Sequence, residues 1–284
     1  LNIVPSNFVR DTMVGLNFDI NDKETKQKKG VLKVNKPVEV LFEGTDTNIF
    51  KKTKELSKEL VDEMKNVEEP FNFLYVGHWL QGNLGKDRKD TGMMLKVFLE
   101  TFKNMKNKPG LIMKTSGAGF SILDREEILK RIETVKETVK GDLPNVYLLH
   151  GDFTDEEMNE LYNHHKVKAH VNLTHGEGFG RPLLEASISQ KPIIASDWSG
   201  HTDFLYKDLA IMLRGSMSAV EKGSVPDDFL IEGSQWFTVN YRDASLAMKD
   251  VYKNYKKYTL NAKKLGTVNK YQSLHRRLSC NYLN

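Results

Sequence analysis

Two glutamates, Glu177 and Glu185, close a run that opens with His175 and Gly176 and continues Gly178-Phe179-Gly180-Arg181-Pro182, with glycine at three of the five positions 176–180. Glycine lets a backbone approach a ligand closely and take up positive φ. The run ends where a helix can begin, because Pro182 suits a first turn, in which its missing N–H costs nothing. The free N–H groups and positive dipole end of such a helix form an anion site, suited to a diphosphate. Carboxylates would oppose a phosphate, so Glu177 in the loop and Glu185 one turn into the helix match sugar hydroxyls better. A plainer account also stands: Glu185 lies four residues after Arg181 and could be its solvated helix partner. Short glycine motifs also recur by chance.

Three other segments could carry chemistry. The stretch from His78 to Asp90 contains Gly82 and Gly85 and ends in Lys86, Arg88 and Lys89, cations able to neutralise a leaving diphosphate. On charge alone it is equally a solvated surface loop. His150-Gly151-Asp152-Phe153 and Ser196-Asp197-Trp198-Ser199-Gly200-His201-Thr202-Asp203 each follow an apolar run. Neighbouring His164 and His165 point different ways on a helix and have no evident third ligand, so no metal site is expected. No Asp-x-Asp occurs, which removes the usual sign of a metal-bound nucleotide.

These loops need a scaffold. Short apolar runs predict strands over 38–42, 71–77, 111–115, 146–150, 168–173, 192–196 and 209–213. Amphipathic runs predict helices over 91–107, 124–140, 154–165, 181–189 and 202–206. Strands alternating with helices imply an α/β fold with a doubly wound, Rossmann-like parallel sheet. In such a sheet ligands sit beyond the carboxyl ends of the strands, where the glycine run falls. Thr154 and Glu157 form a capping box at one helix start. Residues 19–36, polar and rich in lysine, read as an exposed loop or flexible hairpin, and 214–235 as a long loop. From Arg242 the pattern is helical to the end. There Tyr252, Tyr255 and Tyr258 recur among lysines, a face that could meet a membrane surface but fits docking on the body better.

The 284 residues carry 42 Lys and Arg against 38 Asp and Glu, a net charge of +4 spread along the chain. That is too weak for a nucleic-acid partner, which calls for a basic stripe. No apolar run is long enough to span a bilayer. The single cysteine, Cys280, cannot form an intrachain disulfide, and a cytoplasmic setting fits it. The abrupt apolar start at Leu1, not Met, reads as that of a piece from a longer protein.

The string from His175 to Ala186, followed by 191–200, resembles the signature of retaining glycosyltransferases of the two-domain GT-B fold, nearest to family 4, also called group 1. Glu177 and Glu185 match that family's E-x7-E motif. Val4-Pro5-Ser6-Asn7-Phe8-Val9 is similar to its last N-domain strand and helix, and Glu43-Gly44-Thr45-Asp46 with Phe50 to its interdomain segment. The resemblance implies that residues 1–45 are a remnant of an acceptor domain with its linker. It makes 46–258 the Rossmann-like C-terminal half of a GT-B fold and 259–284 a helical tail. It implies a nucleotide diphosphate sugar as donor, transfer with retention, no metal cofactor, an unknown acceptor and a missing N-terminal acceptor domain as partner. Glu185 would take the ribose hydroxyls. Glu177 and the backbone of Gly178, Phe179 and Gly180, flanked by His175 and Arg181, would hold sugar and phosphates. Gly151, Asp152 and Phe153 would line the base, and Lys89 would grip the diphosphate. His78 stands where the family carries an arginine, a role Arg88 could fill.

Two rival readings remain open. Gly176, Gly178 and Gly180 after a strand, with Asp197 ending the next, resemble a dinucleotide-binding oxidoreductase, although the spacing departs from the usual fingerprint. A donor-binding domain without catalysis is the other, and His78 favours it.

Overall fold

The structure, a computed structural model, describes residues 1–82, 84–117, 119–224 and 233–281, the side chains from 275 to 281 excepted. The chain begins with β1 (Asn2–Val4), α1 (Asn7–Gly15), β2 (Asn17–Asn21), β3 (Lys28–Lys33) and β4 (Val38–Val40). Ser6 caps α1 by accepting the Val9 N–H at 3.3 Å. β2 and β3 form an exposed antiparallel hairpin, the second of the two forms expected for 19–36. The strand expected over 38–42 is β4, which pairs in parallel with β1, Asn2 opposite Val38, in a two-stranded sheet separate from the main one.

After α2 (Lys58–Glu63) come β5 (Asn72–Val76), α3 (Thr91–Phe102), β6 (Gly110–Lys114), α4 (Ile122–Glu137), β7 (Val146–Leu149), α5 (Asp155–Asn163), β8 (Val167–Asn172), α6 (Arg181–Ile188), β9 (Ile193–Ser196) and β10 (Ile211–Leu213). Six of these strands form one parallel sheet in the order β10-β9-β8-β5-β6-β7. The chain starts in the middle at β5, runs outward through β6 and β7, then returns to the other flank of β5 at β8. The topological switch point therefore lies between β5 and β8, where a doubly wound sheet opens a crevice.

Side chains alternate across the sheet. Phe73, Tyr75, Leu111, Met113 and Val171 face one core, packed with α3, α4 and α7 (Tyr241–Lys253). Leu74, Ile112, Val167, Ile193 and Ala195 face the other, packed with α2, α5, α6 and α8 (Tyr255–Asn281). Each fully buried large apolar side chain contributes roughly 1.5–3 kcal/mol, and burial on both faces selects the continuous apolar runs seen in the sequence.

The capping box at α5 is present: Thr154 N–H donates to Glu157 at 2.7 Å, and Glu157 N–H to Thr154 at 3.2 Å. Other expectations need correction. The helix over 202–206 is only a 3-10 turn, Gly200–Asp203. The loop over 214–235 contains β11 (Gly215–Ala219), which pairs antiparallel with β12 (Gln235–Val239), Met217 opposite Phe237; residues 225–232 lie outside the described part. Gly215 looked like a loop residue but permits close strand approach, since a Cβ there would meet the Thr238 carbonyl oxygen at 2.1 Å.

Tyr252 and Tyr255 pack edge-on against Phe71, with ring centroids at 5.0 and 5.5 Å, so that face docks on the body. α8 then crosses α6 closely. A Cβ at Gly266 would meet the Ser187 carbonyl oxygen at 2.6 Å, and Asn269 donates to Ser187 Oγ at 2.8 Å. The side chain of Cys280 lies outside the described residues. No helix among the described residues is long and apolar enough to cross a membrane.

Candidate functional site

At the carboxyl ends of β5 and β8 two loops lie against each other. The β5 loop is fixed by Trp79 N–H donating to Ser116 O at 2.8 Å and by Arg131 donating to the Trp79 and Leu80 carbonyls. Asp87 accepts the Thr91 N–H at 2.8 Å and so caps α3, while Asp90 takes a left-handed φ of 53°. His175 N–H donates to the Arg88 carbonyl at 3.0 Å, joining this loop to the glycine run after β8. The glycine run is gripped from two further sides. Ser199 Oγ accepts the Glu177 N–H at 2.8 Å, the Gly200 N–H donates to Glu177 O at 2.9 Å, and Ser6 Oγ donates to Gly178 O at 2.5 Å.

This scaffold brings Lys89, Arg88 and Glu177 together. The buried Lys89 ammonium hydrogen-bonds the buried Glu177 carboxylate. Arg88 donates to Gly176 O at 2.9 Å and stands 3.6 Å from the other Glu177 oxygen. Burial pushes the Glu177 carboxyl up, but the Lys89 and Arg88 cations outweigh it and hold it below its ordinary value. Burial likewise depresses the Lys89 ammonium, against the pull of Glu177.

The second carboxylate has a different setting. Glu185 is buried in the first turns of α6, where Tyr162 of α5 donates to Oε2 at 3.2 Å. Arg181 Nε stands 2.9 Å from Oε1 without hydrogen-bond alignment, so Oε1 is a buried acceptor lacking a hydrogen bond. Burial dominates and pushes the Glu185 carboxyl up to about 7. The i, i+4 pairing with Arg181 is thus present, but Glu185 is not solvated. Gly180 begins α6 at a left-handed φ of 94°, and the helix N-terminus opens beside the glycine run.

The remaining expected residues fall in three places. His175 turns inward, stacked on Trp236 at 4.0 Å and bonded through Nδ1 to Phe237 O at 2.8 Å. Its Nε2, 3.7 Å from Asp90, lacks a hydrogen bond, and burial holds the imidazole below its ordinary value. Phe179 also points inward, packed on Phe42 and Phe204 at 5.1 Å each, which leaves only its backbone to a ligand. His78 is exposed at the end of β5, its Nδ1 3.0 Å from Ser116 Oγ. Gly151, Asp152 and Phe153 follow β7. Lys114 from β6 donates to Gly151 O at 2.7 Å and lies over the Phe153 ring at 4.4 Å.

Asp197, the acid of the oxidoreductase reading, is ion-paired with Lys207 at 2.6 Å. Among the described residues no group of three or more His, Cys, Asp and Glu is placed to hold a metal.

Several contributors had no role in the sequence reading. Ser199 and Gly200 lay in a flagged loop without an assigned task. Ser6 is remote in the chain, and Tyr162 carries no motif. Asp203 accepts from Asn7 N at 2.8 Å and so fastens α1 beside the site, where Phe8 meets Trp198 edge-on at 5.5 Å. A Cβ at Gly200 would fall 2.1 Å from Gly178 O, a backbone atom that cannot swing aside. Gly200→Ala should therefore cost about 1–3 kcal/mol, the usual cost of overpacking. Urea denaturation measures it, and a variant as stable as the parent would mean that the loop is free to shift.

No protein-family model and no curated protein matches this sequence. Solved structures do match. A glycosyltransferase from Rickettsia africae aligns at TM-score 0.58 and 13% identity over 96% of this chain and 58% of that one. HepE from Anabaena, solved in complex with UDP-glucose, aligns at TM-score 0.56 and 13% identity over 85% and 56%. The C-terminal domain of the group 1 family glycosyl transferase LpcC from Francisella tularensis aligns at TM-score 0.51 and 15% identity over 79% and 97%. The chain thus spans a little over half of the first two proteins and nearly all of an isolated C-terminal domain. At these identities the likeness defines a fold: the Rossmann-like C-terminal half of the GT-B architecture.

Proposed function

We propose that this chain is the donor-binding half of a glycosyltransferase that takes a sugar from a nucleotide diphosphate donor, with retention and without metal. In this reading 46–258 is the donor domain, 259–284 its helical tail, 1–45 the end of an acceptor domain, and the setting cytoplasmic. The observation that carries it is the Lys89–Glu177–Arg88 cluster at the switch-point crevice, beside the open N-terminus of α6. The Anabaena protein of the same fold, solved with UDP-glucose, supports the choice of ligand.

The chemistry follows from charge. The bond from the anomeric carbon to the diphosphate oxygen breaks, and its electron pair leaves with the diphosphate. The acceptor oxygen bonds to that carbon on the same face, and its proton passes to the released phosphate. Lys89, Arg88 and the helix end stabilise the developing negative charge in place of a metal ion. Arg88 takes the place left by His78, since it already reaches the glycine run. Glu185 offers Oε1, ion-paired with Arg181 and still able to accept hydrogen bonds, to the ribose hydroxyls, and the loop at Gly151–Phe153 receives the base.

Titration calorimetry with UDP, GDP, ADP and their sugars tests the proposal. Saturable binding of one nucleotide diphosphate, unchanged by EDTA, is the expected result. Because ligand sites favour domain interfaces and orientation supplies much of catalysis, the chain alone should bind donor and transfer no sugar. A strict magnesium or manganese requirement would remove the charge argument, and binding of a nicotinamide dinucleotide alone would reverse the assignment.

A further inference from the structure

The opposite end of the sheet, where β8 and β9 begin, carries a second concentration of charge. A cavity of about 410 Å³ opens there between residues 52–56, the ends of α5 and α6, and the first turns of α8. Lys52, Lys54, Lys168, Lys191 and Lys263 line it, and no acidic residue does among the described residues. Two of these lysines serve the fold. The buried Lys191 ammonium donates to His164 O at 2.6 Å, and Lys52 donates to Ser189 O at 3.1 Å. Both carbonyls belong to the C-caps of helices, where the dipole favours a cation. Lys54, Lys168 and Lys263 have no counter-ion among the described residues.

α8 brings no relief, since its 27 residues hold five lysines, two arginines and no acid. The crowding is felt locally. Burial first, then Lys52 and Lys168, hold the Lys191 ammonium well below its ordinary value, and burial with Lys263 does the same, less strongly, to Lys52. Like charges gathered in a concave, partly apolar site concentrate anions. Leu56, Val167 and Tyr255 supply an apolar wall beside the ammonium groups.

We propose that this cavity is a second ligand site, separate from the donor crevice, that binds a phosphate-bearing molecule through Lys54, Lys168 and Lys263, with its non-phosphate part against Tyr255. The phosphate neutralises the uncompensated lysines, so occupancy stabilises the fold by linkage.

Calorimetric titration of the full chain with inorganic pyrophosphate at low ionic strength, in the presence of excess UDP to block the crevice, provides the test. Saturable binding and a raised Tm are expected. In Lys168→Glu/Lys263→Glu the pyrophosphate affinity should fall about tenfold or more, from two reversed charges, with UDP affinity unchanged. Lys54→Ala/Lys263→Ala, a milder change at exposed positions, guards against a reversal that fails to fold. Equal pyrophosphate binding by parent and variants, or none by the parent once UDP is present, overturns the proposal. Co-sedimentation with anionic phospholipid vesicles that needs the same lysines identifies a lipid headgroup as the source of phosphate. Pyrophosphate saturation without vesicle binding identifies a soluble one.

Discussion

Lys89→Met should destabilise the chain by about 3–5 kcal/mol, the cost of leaving a buried charge without its partner, and should remove most nucleotide binding. Glu177 is 8% exposed, and its other cation, Arg88, is 3.6 Å away and exposed. The pH dependence should invert as well. In the parent, the folded-state value of Glu177 lies below its ordinary 4.5. Ionised Glu177 therefore contributes stability above pH 4.5, and that contribution is lost as pH falls through the folded value. In the variant burial prevails, the carboxyl is pushed up, and stability falls as pH rises instead. Lys89→Met/Glu177→Gln should recover most of the stability, because neither charge remains buried, yet it should still not bind nucleotide diphosphate. Urea denaturation below pH 4.5, at pH 4.5 and at pH 8, with calorimetry on all three proteins, checks this. Equal stability of the single and double variants would show that the pair is not coupled.

Glu185→Gln should stabilise the free chain at pH 8 while weakening its nucleotide binding. The Glu185 carboxyl, pushed up to about 7 from its ordinary 4.5 chiefly by burial, keeps its proton in the folded state after the unfolded chain has released it. That contribution is complete below pH 4.5 and is lost as pH rises through 7. The glutamine pays no such cost, so its advantage over the parent should grow by about 3 kcal/mol between pH 4.5 and pH 8. Asp90, also pushed up to about 7 by burial, is common to both proteins and cancels in the difference. If ribose hydroxyls donate to the ionised carboxylate, parent affinity for UDP should rise through the same window relative to Glu185→Gln. At pH 8 the variant should bind about 1–3 kcal/mol more weakly, the usual loss when buried polar partners are stranded. A stability difference that does not move with pH, or equal affinities at pH 8, would end this assignment.

Much of this protein is legible from residue order. Apolar runs bounded by turn residues locate the six strands of the main sheet, because strands buried on both faces are largely apolar. Thr154 with Glu157 marks the start of α5, since a capping box is complete within four residues. The glycine run and Pro182 point to the candidate site because close backbone approach and a helix N-terminus are local properties, and the E-x7-E spacing adds a family resemblance. What the sequence left undecided depends on partners remote in the chain. The 38–42 run is apolar enough for the main sheet, but only the folded chain shows it leaving to pair with β1. β11 looks like loop because it is short and its ladder partner, β12, begins 20 residues further along the chain. Residue order leaves Glu185 between a ligand carboxylate and a solvated helix partner of Arg181, and only the folded chain shows Tyr162 and the second core covering it. On charge alone Lys89 could equally belong to a solvated loop, and its burial is decided only when 88 positions of chain fold back and place Glu177 against it. Residue types and spacing settle which backbone can approach a ligand. Only tertiary packing settles which charges are buried together, because burial and the pKa it sets depend on the surroundings in space.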